Sequence, residues 1–298
     1  MKSEAAPVIG LVGLGLVGTA LAQRLWEAGW RVMGFDIQTS TSAAFVAQGG
    51  ELSETLREMA TQVSCVVLAV FDTQDVLKVI EGERGLCTGG NAHSIVSTII
   101  DCSTGIPDHL QALALRLKVH GIDFIEAPLS GSSVQIRAGE ATMLLGGDVQ
   151  VIANHESLLQ ALAWKRIHVG SAGMGAQAKL ATNLVLGLNR AALAEGMVFA
   201  QSLGIAPSQF LQLVLATPAR SDAAVVKGEM MVKQDYAPQS RIRQHLKDVH
   251  LMIASAQAHR QKLPFSQVHA QLMQAAVEAG DGELDNAAII EQLRREKF

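Results

Sequence analysis

The string Gly13-Leu14-Gly15-Leu16-Val17-Gly18 has G-x-G-x-x-G spacing and lies between an apolar run, residues 8–14, and a helix-like segment, residues 17–28. Glycines at these three places suit a tight turn, close approach of the backbone to a ligand, and close helix–strand packing. The helix N-terminus would present unsatisfied N–H groups there, which favours a pyrophosphate. A second apolar run, residues 30–35, ends in Asp36, 23 positions after Gly13. A carboxylate at that point can accept from both ribose hydroxyls of NAD and would repel the 2′-phosphate of NADP. Ile37-Gln38-Thr39-Ser40 follows, with no Arg or Lys to hold such a phosphate. A glycine string alone also fits an ordinary strand–helix turn. Strand, helix and strand-end acid together favour an NAD site built from Gly13, Leu14, Gly15, Leu16, Val17, Gly18 and Asp36.

The elements that must position these residues can be followed along the chain. Residues 63–70 and 94–101 are β-branched and apolar on both parities, as strands buried on both faces should be. Residues 122–126 and 142–145 are further short strands, while residues 73–81 and 107–120 have helical spacing. This alternation predicts an α/β Rossmann-type domain with a doubly wound parallel sheet. The pattern changes after Gly170. Residues 175–203 form one Ala/Leu-rich segment far longer than an average helix, and residues 207–215, 223–233, 242–257 and 264–279 continue as helices. The expected organisation is a dinucleotide-binding domain over residues 1–171 and an all-α domain over residues 172–298, joined by the long helix.

Composition narrows the function classes. The chain has 298 residues, of which 49% are hydrophobic, 17% charged and only 4% aromatic, with a net charge of −4. Scarce aromatics and the absence of a long basic run argue against a nucleic-acid surface. Cys65, Cys87 and Cys102 are odd in number and irregular in spacing, which suggests reduced thiols of a cytosolic protein. The nine histidines are scattered; His245 and His250, five apart, do not share a helical face as a metal pair would. No metal site is expected. The first residues resemble a secretory leader, but four glycines interrupt the apolar stretch and Gln23, Arg24 and Glu27 make its continuation amphipathic. No segment approaches the ~20 apolar residues of a membrane span. The expectation is a cytoplasmic protein with no membrane partner.

Four motifs in order resemble the β-hydroxyacid dehydrogenases, the group containing 3-hydroxyisobutyrate dehydrogenase, tartronate semialdehyde reductase and L-threonate dehydrogenase. After the glycine motif, Asp101-Cys102-Ser103-Thr104 with Pro107 is similar to D-x-S-T-x-x-P. Ala127-Pro128-Leu129-Ser130-Gly131-Ser132 resembles the A-P-V-S-G-G substrate loop and is followed by Gly139-Glu140-Ala141-Thr142. Gly173-Met174-Gly175 through Lys179 and Asn183 resembles G-x-G-x-x-x-K-x-x-x-N, and Lys247-Asp248 resembles a late K-D pair.

The resemblance implies Lys179 as the catalytic proton donor and acceptor, with Asn183 holding the lysine or the substrate. Their i, i+4 spacing places them on one helical face. It also implies that Ser130, Gly131 and Ser132 hold the substrate carboxylate, and that Thr104 and Lys247 contact the cofactor near its nicotinamide. Ser132 departs from the usual second glycine. Cys102 has no implied role. Arg220, in Thr217-Pro218-Ala219-Arg220-Ser221, stands where relatives carry a small residue and could reach a carboxylate or several hydroxyls; an exposed helix-start arginine is the alternative.

The implied activity is hydride transfer between NAD, rather than NADP, and a small β-hydroxyacid or its semialdehyde, in a homodimer or homotetramer. Gly139-Glu140-Ala141-Thr142 is closer to the G-E-M-T of threonate-dehydrogenase-like relatives than to G-T-L-T, which favours a polar four-carbon sugar acid. 6-Phosphogluconate dehydrogenase shares the architecture but is much longer and needs a basic cluster for its sugar phosphate. Imine reductases lack the lysine, and a non-enzymatic cofactor-binding regulator would not require Lys179 and Asn183 together.

Overall fold

The structure, a computed structural model, describes residues 8–87 and 93–296. Residues 1–7, where the leader-like pattern begins, lie outside the described residues. The chain divides into two compact units between Lys179 and Leu180.

In the first unit, six strands run parallel in the order β3-β2-β1-β4-β5-β6. They are β1 (Val8–Val12), β2 (Arg31–Phe35), β3 (Glu51–Leu52), β4 (Cys65–Leu68), β5 (Thr98–Asp101) and β6 (Asp123–Glu126). Helices α1 (Leu16–Glu27), α2 (Thr39–Ala47), α3 (Leu56–Gln62), α4 (Thr73–Glu81) and α5 (Pro107–Val119) connect them. Strand side chains alternate between two cores, as a period of two requires. Ile9, Leu11, Cys65, Val67 and Ile100 pack with Leu21 and Leu25 of α1. Val12, Val66, Leu68 and Ile99 pack instead with Met59, Ile80, Leu110 and Leu113 from α3, α4 and α5. Helices on both faces explain why β4 and β5 are buried at every position.

The sheet is not wholly parallel. After β6, the chain forms β7 (Leu129–Ser130) and α6 (Ser133–Arg137), and β8 (Thr142–Gly146) then runs antiparallel to both β6 and β7. The intervening residues make a short helix packed on α1 instead of one that crosses the sheet face. Helices α7 (Val149–Asn154) and α8 (Glu156–Leu162) return the chain to β9 (Lys165–Gly170), parallel to β8. Helix α9 (Met174–Ser202) follows.

The second unit comprises the remainder of α9 with α10 (Pro207–Ala216), α11 (Asp222–Lys233), α12 (Ile242–Ala258), α13 (Pro264–Glu278) and α14 (Ile289–Arg295). Its core includes Leu193, Met197, Leu211, Met231, Leu246, Met252, Met273 and Ile290. Prolines at the starts of α10 and α13 remove only an N–H that a first turn leaves unpaired. Ser221 caps α11 by accepting from Ala224 N–H at 3.2 Å.

Candidate active site

The carboxyl ends of β1, β2, β4, β5 and β6 lie along one edge of the sheet, where open α/β sheets bind ligands. Gly13, just past β1, has φ +91°, and a Cβ there would sit 2.4 Å from the Ala69 carbonyl oxygen. Gly18 lies so close to the turn that its Cβ would fall 1.8 Å from the Gly13 oxygen. Gly15 differs: a Cβ there would meet nothing within 4 Å. The outer two glycines are therefore demanded by the fold, while the middle one keeps a space clear above the start of α1. That helix has no side-chain cap and no acid in its first turn, so its leading N–H groups suit an anion. Asp36 accepts from Leu14 N–H at 2.7 Å and from Gln38 N–H at 2.8 Å, so its carboxylate is held at the rim of the glycine turn. These residues fit a dinucleotide: a clear cradle for the pyrophosphate with an oriented acid beside it.

Thr104 follows β5 on the same edge. Asp101 accepts from Ser103 N–H at 2.9 Å and the Ser103 hydroxyl accepts from Val70 N–H at 3.1 Å, which ties the turns after β4 and β5 together. Ser130, the last residue of β7, and Gly131, which follows it, are partly exposed. Ser132 is used locally. Its hydroxyl oxygen accepts from Gln135 N–H at 3.3 Å, and its own N–H donates to the Gln135 side chain at 2.9 Å, closing a capping box on α6.

Glu126, at the end of β6, is a site residue that the sequence did not single out. Its carboxylate accepts from Gly173 N–H at 2.5 Å, Gly175 N–H at 3.3 Å and Ala176 N–H at 3.3 Å, the groups that open α9. Gly146 and Gly175 make room for it; a Cβ on Gly146 would lie 2.5 Å from the carboxylate. Burial pushes the Glu126 carboxyl up to about 7, the three N–H groups pull it down, and the charge of Asp101 pushes it up. Glu126 thus fixes the start of α9, and Lys179, 7% exposed, sits on that helix just after the residues it clamps.

In the helical unit, the buried Asn183 donates from Nδ2 to Asp248 Oδ2 at 3.2 Å. The other Asp248 oxygen lies 3.1 Å from Lys247 Nζ. Lys247 is not an exposed helix charge, since its side chain is only 17% exposed. Asp248 joins two of the residues implied by the sequence, and its adjacency to Lys247 was the only sign of it. Arg220 is exposed in the turn between α10 and α11, where its N–H donates to Thr217 O at 3.0 Å.

No group of three or more His, Cys, Asp or Glu suited to a metal occurs among the described residues. No helix among them is long and apolar enough to cross a membrane. The three cysteines are unpaired as disulfides, and burial pushes the Cys65 thiol up to about 12 and Cys102 higher still, which disfavours a nucleophilic thiolate.

Residues 8–170 match the family model described as the NAD binding domain of 6-phosphogluconate dehydrogenase. Residues 173–293 match the model described as NAD-binding of NADP-dependent 3-hydroxyisobutyrate dehydrogenase. The 2-hydroxy-3-oxopropionate reductase of Escherichia coli K12 is 30% identical over 287 residues, 96% of each chain. The chain belongs to the β-hydroxyacid dehydrogenase family. Within this family, the L-threonate dehydrogenase of Cupriavidus necator is 28% identical, over 95% of this chain and 94% of its own. A crystal structure of 3-hydroxyisobutyrate dehydrogenase from Salmonella typhimurium superposes with a TM-score of 0.83 at 26% identity, covering 96% of this chain and 99% of the other. As a β-hydroxyacid dehydrogenase family member with NAD-binding domains, the chain is an oxidoreductase.

Proposed function

We propose that this protein is an NAD-preferring dehydrogenase that interconverts a small polar β-hydroxyacid and its semialdehyde, with Lys179 handling the proton. The observation that carries this reading is the buried Lys179 near the start of a helix whose first N–H groups are held by Glu126. In this reading, residues 1–171 bind the dinucleotide through Gly13, Leu14, Gly15, Leu16, Val17, Gly18 and Asp36, and residues 172–298 form the substrate and subunit-contact domain. Thr104 and Lys247 contact the cofactor near its nicotinamide. A dinucleotide held there would supply the hydride acceptor and donor.

The chain's own residues do the rest. Lys179 Nζ–H donates to the carbonyl oxygen as it gains negative charge in the reductive direction, and the neutral amine takes the hydroxyl proton in the oxidative one. Asn183, one helical turn on, keeps its amide oriented through Asp248 and so is ready to meet the substrate oxygen. The Ser130 hydroxyl and the Gly131 N–H hold the substrate carboxylate, while Ser132 shapes the loop by capping α6. Arg220 supplies a cation for a second polar group on the substrate. Two relatives are named for polar hydroxyacid chemistry, which together with Glu140 supports a polar three- or four-carbon acid over 3-hydroxyisobutyrate.

The test is turnover of a panel of β-hydroxyacids and semialdehydes, each with NAD and NADP, by wild type and Lys179→Ala. Removing a general acid–base group costs typically ~10²–10⁴-fold in rate, so the variant should lose at least that while still binding NAD. Near-normal turnover by Lys179→Ala overturns the mechanism.

A further inference from the structure

Helix α9 carries a single arginine, Arg190, and its side chain is sunk into the helical unit, only 3% exposed. Neither Nε nor Nη2 has a hydrogen-bond partner. Those two N–H groups form one edge of the guanidinium, the edge that grips an anion with two parallel hydrogen bonds.

The acid whose field reaches Arg190 is Asp285, which is fully buried and already committed. Lys227 Nζ lies 2.8 Å from Asp285 Oδ1 and 2.9 Å from Oδ2. Oδ2 also accepts from Gln239 N–H at 2.9 Å and Ser240 N–H at 3.0 Å, and Oδ1 from Ala287 N–H at 3.0 Å. Two buried cations therefore share one buried carboxylate, and that carboxylate is engaged by Lys227 and three backbone groups.

His269 of α13, also buried, feels the charge of Arg190, and its Nε2 has no partner either. Burial, then Arg190, holds this imidazole down to about 4, so at neutral pH the ring adds no charge but can offer one N–H. Gly187, three residues before Arg190 on the same face of α9, lets two rings approach. A Cβ there would lie 2.4 Å from His245 Nε2 and 3.0 Å from His269 Cε1, and the two ring centroids are 5.4 Å apart.

One positive charge is left over in the buried interior of the helical unit, with two unused N–H groups on its guanidinium and, within reach of its charge on α13, an imidazole nitrogen without a partner. An uncompensated buried cation is strongly destabilising, and a counter-charge relieves it. We propose that this cluster is an internal anion site: a chloride-sized monovalent anion bound by the Nε/Nη2 edge of Arg190, with His269 Nε2–H as a further donor. The single surplus charge selects a monoanion over a dianion. The depth of Arg190 favours a small, spherical ion over a metabolite carboxylate. Bound there, the ion links α9 to α13 through the two side chains.

The experiment is thermal unfolding of the full chain at constant ionic strength, with sodium gluconate replaced stepwise by sodium chloride and, separately, by sodium formate. ³⁵Cl line broadening serves as the direct probe. Wild type should gain roughly 3 °C for each tenfold rise in chloride above half-saturation, with saturable broadening. Arg190→Met, which fills the same space with an apolar chain, should show neither. Should that variant not fold, His269→Phe serves instead, with a chloride midpoint raised about tenfold. Wild-type melting indifferent to chloride, a response to formate alone, or an unchanged chloride response in the variants overturns the proposal.

Discussion

Glu126→Gln isolates the cost of holding a carboxylate against the start of α9. The wild-type group titrates in the folded protein at about 7, against an ordinary value of 4.5, and burial is the main cause. An acid whose folded value is raised favours the folded state most where it is protonated in both states, below pH 4.5. That advantage drains away as pH rises from there through about 7 and is then gone. At 1.36 kcal/mol per pH unit, the span amounts to about 3 kcal/mol. Gln has the shape of the protonated acid and does not titrate, so its stability relative to wild type should improve by up to that amount between pH 4.5 and pH 8. Titrating groups remote from Glu126 are common to both proteins and cancel in the difference; Asp101, whose charge acts on Glu126, is the one neighbour whose own titration changes with it. The assay is the melting temperature of both proteins at several pH values across that range. The gap should move by roughly 6 °C in favour of Gln as pH rises. A gap independent of pH, or one that moves in favour of wild type at pH 8, refutes the assignment of burial as the dominant influence on this carboxyl.

Three further outcomes are expected. Gly15→Ala should melt like wild type, because its Cβ meets no protein atom, yet weaken NAD binding by roughly tenfold or more in titration calorimetry, whereas Gly18→Ala should cost about 3 kcal/mol in a denaturant melt. Asp36→Ser should narrow the preference for NAD over NADP in steady-state kinetics by removing both the ribose acceptor and the repulsion of the 2′-phosphate; a wild type that already prefers NADP contradicts this reading of Asp36. Arg220→Ala should raise KM for the preferred polar acid more than for 3-hydroxyisobutyrate; equal effects return Arg220 to the role of an exposed turn residue.

The parts of this molecule legible in its sequence are those where backbone geometry leaves a mark on residue type. Gly13 and Gly18 are such marks, because the fold leaves no space for a side chain at either. The β-branched runs of β4 and β5 are another, because helices cover both faces of the sheet there. β9 leaves no apolar signal because Lys165-Arg166-Ile167-His168 is mostly polar and largely exposed, and α6 is masked because Ser132 fits a substrate-loop pattern while capping a five-residue helix. Glu126 looked like any strand-end acid, since its partners lie 47 to 50 residues further along the chain. Arg190 had no signature either. In an Ala/Leu-rich helix, a buried arginine and an exposed one are spelled alike, and what sets this one apart is the company of His269 and Asp285, far off in sequence.

Asp285 also governs how this protein can be shortened. It accepts from Lys227 on α11 and from the backbone at Gln239 and Ser240 ahead of α12, partners 45 to 58 residues upstream. A chain ending at residue 284 would keep the nucleotide cradle, Lys179, Asn183 and Lys247, and so every residue to which a catalytic or cofactor role is assigned. It would also strand an ammonium group and two amide donors in a core that has lost their acceptor. A stop codon at position 285, which removes no assigned site residue, should therefore behave as a null allele through degradation of a protein that never completes its helical unit.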